Sequence, residues 1–339
     1  MRGELLEHLL SEAGLSPQMD EVGNVTVRVP GGTGPRVLIA AHLDTVFSAD
    51  VDVSVQEENG RLSAPGIGDN SASLAVLVRF VQQVMAGEHE QRPRLSVAAT
   101  VGEEGLGDLY GMRHLMETRA DEFDLVVALD GHLGALINGS VGSKRFEVRF
   151  RAAGGHSWGD FPSPSAVHAL GDAVHALNQL SLSEQPRSSY NVGQVWGGTS
   201  INAIAQEAGF NLDLRSRDEA VLKRLEQDAI KRITKAAKKH NVKLDTKIVG
   251  DRPAADVPNE PLVRAARGAL SAVDVRTRLA ASSTDANAAM AAGLPAVAFG
   301  VYRGGDAHRL SEWLEIQSLV TGYQALVKFM ENLSALEGG

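Results

Sequence analysis

Two adjacent glutamates, Glu103 and Glu104, close an apolar run in the stretch AATVGEEGLGDLYG. Like charges side by side repel and gain nothing from a core, so the pair asks for a positive partner. The same kind of ending recurs along the chain: His42 and Asp44 follow RVLIAA, and Asp130 follows LVVAL. Asp69 stands in the glycine-rich turn APGIGDN, and His308 in a glycine-rich loop near the C-terminus. Two histidines and this many carboxylates carry too much negative charge to share a crevice unless cations neutralise it. Two divalent ions ~3.5 to 4 Å apart, bridged by one carboxylate, satisfy such a set. One of the paired glutamates can then ligate metal while its neighbour, off the metal, takes a proton from water. The 339 residues include no cysteine, so the ligands are imidazole and carboxylate, a mixture that suits zinc, with manganese or cobalt as substitutes. Each signal alone has a plainer reading: His-x-Asp as a surface pair or cap, GEEG as a solvated turn, Asp69 as an N-cap. Their conjunction at strand and helix ends is what points to one site.

The elements that must position these side chains follow from the hydrophobic pattern. Amphipathic MRGELLEHLLSEAG reads as a helix, and GNVTVRV, RVLIAA, RLSVAAT and FDLVVALD as strands, with helices at SASLAVLVRFVQQVMAG and LYGMRHLMETRA between them. Strands alternating with helices predict an open, mainly parallel α/β sheet, and ligands bind in such sheets at the carboxyl ends of the strands. Near Gly142 the style changes to strand, helix, two strands, helix, strand, the plan of a compact α+β domain. From about Gly250 the first style resumes, with a helix at 260 to 272, a capped helix in SSTDANAAMAAG, the strand PAVAFG and a closing helix at 311 to 333. The expected organisation is a core domain of residues 1–141 and 249–339, with residues 142–248 inserted as a lid and dimerisation domain. Acidic residues outnumber basic ones, for a net charge of −9, which argues against a nucleic-acid partner. No apolar run has transmembrane length and no signal-peptide core opens the chain, so the expectation is a cytoplasmic protein without a membrane partner.

The motifs HLDT, APGIGDNSASLAVLV, VGEEGLGDLYGMRHL, ALDG, GGHSWGDF, GGTSINAIA, DLRS, SSTDAN and GGDAHRLSEW occur in an order that resembles the co-catalytic zinc peptidase family. That family includes peptidase T, carboxypeptidase G, acetylornithine deacetylase and succinyl-diaminopimelate desuccinylase. The resemblance covers nearly the whole chain and is closest to the peptidase T-like branch. It implies a zinc-exopeptidase-like core with a ferredoxin-like α+β insertion, and two metal ions. His42 and Asp130 match ligands of the first metal, Asp69 the bridge, Glu104 and His308 ligands of the second, and Glu103 the general base. Asp44 matches the carboxylate that orients the ligating imidazole. His156 matches the histidine that stabilises the oxyanion, supplied by the neighbouring subunit in dimeric members, against a plainer reading as a buried histidine packed by Trp158. Asn202 and Arg215 match positions that grip substrate, although Arg215 also suits an ion pair with Asp213 or Asp218. Ser283 and Asp285 match the crevice floor, with helix capping as the plainer reading. The bond between Asp69 and Asn70 is cis in relatives and is expected to be so here.

The resemblance implies an amide hydrolase. Aspartate at position 130 goes with aminopeptidases and dipeptidases, which predicts an exopeptidase of short peptides. The alternatives are an N-acyl or aminoacyl amino acid amidohydrolase, which Arg215 would suit, and a non-catalytic scaffold, which the full ligand set argues against. Arg309, after His308 where a small residue is usual, is a departure that could alter substrate charge preference. A homodimer paired through the inserted domain's sheet edge is the expected assembly.

Overall fold

The computed structural model describes residues 2–336. The chain divides by its contacts into two units, Met1–Ser140 with Asp256–Gly339, and Val141–Ala255. The first is built on an eight-stranded sheet in the order Gln18–Met19, Val25–Val29, Arg94–Thr100, Arg36–His42, Leu125–Leu133, Ala296–Gly300, Ala135–Ser140, Arg278–Ser282. The four strands from Arg94–Thr100 to Ala296–Gly300 are mutually parallel. Arg36–His42 is buried at every residue after Arg36, as a strand covered on both faces must be. Leu77, Phe80 and Val81 of helix Ser73–Met85 and Leu326 and Phe329 of helix Ile316–Ser334 fill the core against it. The Phe299 and Phe329 rings lie 4.9 Å apart. The sheet is thus mixed, mainly parallel at its centre and flanked by helices, as the strand and helix alternation predicts.

Several elements differ from the sequence reading. The strand expected to stop after Asp130 runs on to Leu133, and Ala135–Ser140 then returns antiparallel to Ala296–Gly300. Arg278–Ser282 is a sheet-edge strand whose exposed start breaks the apolar pattern that would have marked it. The closing helix begins at Ile316, not at 311. Residues Trp313–Glu315 instead pair with Arg61–Ser63 in a small sheet that also holds Gln56–Glu58 and Gly304–Gly305. The helix in SSTDANAAMAAG is one short segment, Ala286–Ala291.

The second unit is a four-stranded antiparallel sheet in the order Ser188–Gly197, Glu207–Ser216, Gly142–Arg151, Lys243–Arg252. Numbered along the chain this is 2-3-1-4, the ferredoxin-like arrangement. Along Gly142–Arg151, Phe146, Val148 and Phe150 are buried and pack with helices Ala166–Leu177 and Glu219–Lys239, while Glu147 and Arg149 between them stay partly exposed. Asp218 caps the second helix, accepting the Val221 amide at 2.8 Å. Gly250, Asp251 and Arg252 still pair with Arg145, Lys144 and Ser143, which keeps that strand in the inserted unit and puts the crossing after Ala255. Among the described residues no helix is long and apolar enough to cross a membrane.

Candidate metal centre

His42 is the last residue of its strand and pairs in register with Thr100, so the Glu103–Glu104 turn leaves the sheet beside it. On the other side Ala40 pairs with Ala128, and Asp130 lies two residues further on, as His42 does from Ala40. Asp69 comes from the turn Ile67–Ala72 that precedes helix Ser73–Met85, and the Asp69–Asn70 bond is cis. Gly68 is required there because a side chain would meet the Tyr302 ring at 2.6 Å. Gly102 has φ of 72° and any Cβ would lie 2.3 Å from the Tyr110 ring, so only glycine makes the turn that delivers the two glutamates.

The six side chains converge. His42 Nε2 lies 3.0 Å from Asp69 Oδ1, and His308 Nε2 lies 3.1 Å from both Asp69 Oδ2 and Glu104 Oε1. Ligand atoms of His42, Asp69 and Asp130 lie within 4.8 Å of one another, as do those of Asp69, Glu104 and His308. A third grouping joins His42, Glu103 and Glu104. Asp69 is shared by the first two sets, one oxygen toward each histidine. Its Oδ1 is buried and accepts no hydrogen bond among the described residues, although His42 Nε2 is so near. A buried carboxylate oxygen left without a donor is costly, and a cation between it and the imidazole removes the cost. The residues therefore fit a pair of divalent ions.

The electrostatics agree. Burial works against a charged His42, but Asp69, Asp130 and Glu103 outweigh it and hold its pKa well above the ordinary value. Burial likewise opposes protonation of His308, and Glu104 and Asp69 overcome it and raise its pKa. Burial, then the charge of Asp69, pushes Glu104 up against the pull of His308. Asp130 is pushed up by burial against His42, while Asp69 is held down because the two histidines outweigh its own burial. Carboxylates that cling to protons beside imidazoles that do the same form a site short of positive charge.

Asp44 works differently from the sequence expectation. Its backbone carbonyl, at 3.0 Å, is what His42 Nδ1 meets, while its carboxylate stands off at 3.8 Å. A carbonyl only accepts, so Nδ1 carries a proton and Nε2 faces Asp69. The carboxylate instead accepts the backbone amides of Glu103 at 3.1 Å and Glu104 at 2.7 Å. Asp44 therefore holds the glutamate turn with its side chain and the imidazole with its main chain.

Ser283 lies between strand Arg278–Ser282 and helix Ala286–Ala291. Capping there falls to Thr284, whose Oγ1 accepts the Ala286 amide, and not to Asp285. Asp285 is buried and turned to Thr100, whose hydroxyl donates to it at 2.5 Å, and burial, opposed by Thr100 and His42, pushes its pKa up to about 6. Sequence reasoning missed one further residue. Glu312 is 1% exposed and accepts the amides of Gly66, Gly68 and Asp69 at 2.8, 2.9 and 2.8 Å. The glutamate of HRLSEW, four residues past His308, is the available signal, but the apolar spacing of the closing helix runs back over it and hides it.

His156, Asn202 and Arg215 belong to the inserted unit. Gly155–His156 pairs with Ala203–Ile204, and the Ser157 amide donates to the Asn202 carbonyl at 3.0 Å, so His156 and Asn202 share one loop pair. His156 is exposed, as is Trp158 at 89%, which overturns the packed-histidine reading. The His156 Nδ1 accepts the amides of Trp158 and Gly159 at 3.2 and 3.4 Å, so a neutral ring carries its proton on Nε2. Arg215 is apart from this loop pair, at the other end of strand Glu207–Ser216, and its Nε donates to Asp213 at 2.7 Å.

Residues 38–332 match the model of peptidase family M20/M25/M40. The chain belongs to that family. Among curated relatives, it is 26% identical over 226 residues to a probable carboxypeptidase of Aspergillus flavus, a match covering 59% of this chain and 52% of that one. It is 25% identical over 327 residues to a succinyl-diaminopimelate desuccinylase of Polaromonas sp., covering 89% and 75%. The chain thus spans about half the length of the first of these relatives. Its fold is that of a tripeptidase from Staphylococcus aureus, with a TM-score of 0.82 at 19% identity over 98% of this chain and 92% of that one.

Proposed function

We propose that this M20-family chain is a metal-dependent amide hydrolase, an exopeptidase acting as an aminopeptidase or as a di- or tripeptidase on short peptides. The observation that carries the reading is Asp69, with one oxygen toward His42 and the other toward His308. His42, Asp69 and Asp130 would hold one divalent ion, and Asp69, Glu104 and His308 the second, zinc suiting these donors with manganese or cobalt as substitutes. When bound, such ions polarise a carbonyl and lower the pKa of water toward neutrality. Glu103 is buried beside His42 but outside the Asp69, Glu104 and His308 group. It accepts the proton of the attacking water and returns it to the leaving amine. His156, held with its proton on Nε2, donates to the oxyanion.

Asn202 contacts substrate beside His156, Ser283 lines the crevice floor, and the guanidinium of Arg215 takes a carboxylate. The ten residues of Glu207–Ser216 span roughly 30 Å, whereas an extended tripeptide spans about 10 Å. With the His156 loop pair near one end of that strand and Arg215 at the other, one small substrate touches both only if they come from different copies. A homodimer through the inserted unit meets that requirement. The proposed setting is the cytoplasm.

A second reading, hydrolysis of N-acyl amino acids, draws support from the fork of Arg215 and from the desuccinylase among the relatives. Assaying the metal-supplemented protein on di- and tripeptides against N-acetyl and N-succinyl amino acids separates the two. Peptides are expected to turn over at least roughly tenfold faster, the scale of a small difference in pocket contacts. The opposite ratio would move the assignment to the second reading. Glu103→Gln should keep its metal and lose about 10²- to 10⁴-fold in kcat. Near wild-type turnover would remove Glu103 from the role of base.

A further inference from the structure

We infer that Glu312 is a positioning residue for the metal centre: it ligates nothing itself but fixes Asp69 and ties it to the loop that carries His308. The carboxylate takes Gly66 on one oxygen and both Gly68 and Asp69 on the other. These amides lie 243 to 246 residues away in sequence. The main chain of the same residue completes the tie. Its amide donates to the Arg309 carbonyl at 3.1 Å, within the turn that holds His308, and its carbonyl accepts the Ala64 amide at 3.0 Å.

Three features make this more than packing. Among the described residues no lysine, arginine or histidine forms an ion pair with Glu312, so its charge is met by backbone dipoles alone. A buried carboxylate held that way fixes three N–H directions within one four-residue turn, and with them the direction of the Asp69 side chain. Ser71 closes the other side of the turn by donating to the Gly66 carbonyl. The Ile67–Ala72 turn includes residues with non-helical backbone at Asp69 and Asn70, so the following helix does not impose its shape. The two ends of the bridge, Asp69 and His308, reach the centre from opposite ends of the chain, and Glu312 is bonded to both segments. Asp44 does for the Glu103–Glu104 turn what Glu312 does for this one.

The inference rests on the metal reading, and its test has one arm that does not. In the metal-free wild-type protein, hydrogen exchange across residues 64–72 should be as slow as in the buried strand Arg36–His42, because the Gly66, Gly68 and Asp69 amides are bonded to a buried group. Exchange at the rate of an exposed loop overturns the clamp whatever the protein binds. In the second arm, zinc is titrated against a chromogenic chelator. Glu312→Gln, which puts an NH₂ where an acceptor stood, should weaken zinc binding roughly 10- to 100-fold. Glu312→Asp should recover part of the loss. On a peptide substrate, kcat should fall with KM within about twofold. Wild-type zinc affinity in a folded Glu312→Gln overturns the inference. Failure of the wild-type protein to bind zinc, manganese or cobalt sinks the proposed function instead, and the exchange arm still decides the clamp.

Discussion

Asp69 faces His42 across 3.0 Å with a carboxylate oxygen that is buried and has no hydrogen-bond donor among the described residues. The pair is arranged for something between its members. The surrounding groups hold protons where a cation belongs: the His42 and His308 pKa values are raised by their carboxylate neighbours, and those of Glu104 and Asp130 are raised chiefly by burial.

Metal binding to the stripped protein should therefore expel protons. At pH 7, zinc titrated calorimetrically in buffers of different ionisation enthalpy should give different heats, with net proton release. Release should diminish as pH rises through the raised histidine pKa values, because fewer protons remain to displace. A heat independent of buffer would contradict the charge-deficient site.

Asp44 offers a sharper separation. Its carbonyl meets His42 and its carboxylate holds the amides of Glu103 and Glu104. Asp44→Asn leaves the carbonyl in place and removes one of the two acceptor oxygens. The expected result is a weaker ion at the Glu104 and His308 side and a drop of roughly 10- to 100-fold in kcat, with the His42 and Asp130 side close to unchanged. Loss confined to the His42 side would restore the carboxylate to the imidazole-orienting role that the sequence suggested.

The inserted unit makes a prediction of its own about acid. Lys239 and His240, at the end of helix Glu219–Lys239, hold Asp172 of the neighbouring helix at about 2. A carboxylate with a lowered folded pKa stabilises above its unfolded value of about 3.9 and loses that contribution as pH falls through the folded value. The three side chains are partly to largely exposed, so the effect is about a few tenths of a kcal/mol. Asp172→Asn should lower Tm slightly at pH 5 to 6, and the difference should shrink to nothing as pH approaches 2. A penalty that grows on acidification would contradict the assignment.

The convergence of the candidate ligands was legible in the sequence because parallel strands that end in a crevice write their chemistry locally. HLDT, VGEEG and ALDG each follow an apolar strand, and the register of Ala40 with Ala128 and of His42 with Thr100 brings those endings level. Glu312 was not legible, since its partners are backbone amides, which have no sequence signature. The amphipathic pattern of Ile316–Ser334 also extended smoothly back over it. The role of Asp44 was half legible: spacing puts it near His42, but whether carbonyl or carboxylate meets the ring depends on where the Glu103 and Glu104 amides point. Edge strands such as Arg278–Ser282 were lost because exposure at the sheet margin breaks the apolar pattern. The packed reading of His156 failed because a large neighbouring tryptophan says nothing about which way a loop faces.

The account turns on Asp69 bridging two ions, and metal stoichiometry per chain tests that most directly. After stripping and reloading with zinc, the wild-type protein should hold two ions, His308→Ala one, and Asp69→Asn neither tightly. Two ions retained in His308→Ala, or none in the wild type, would contradict it.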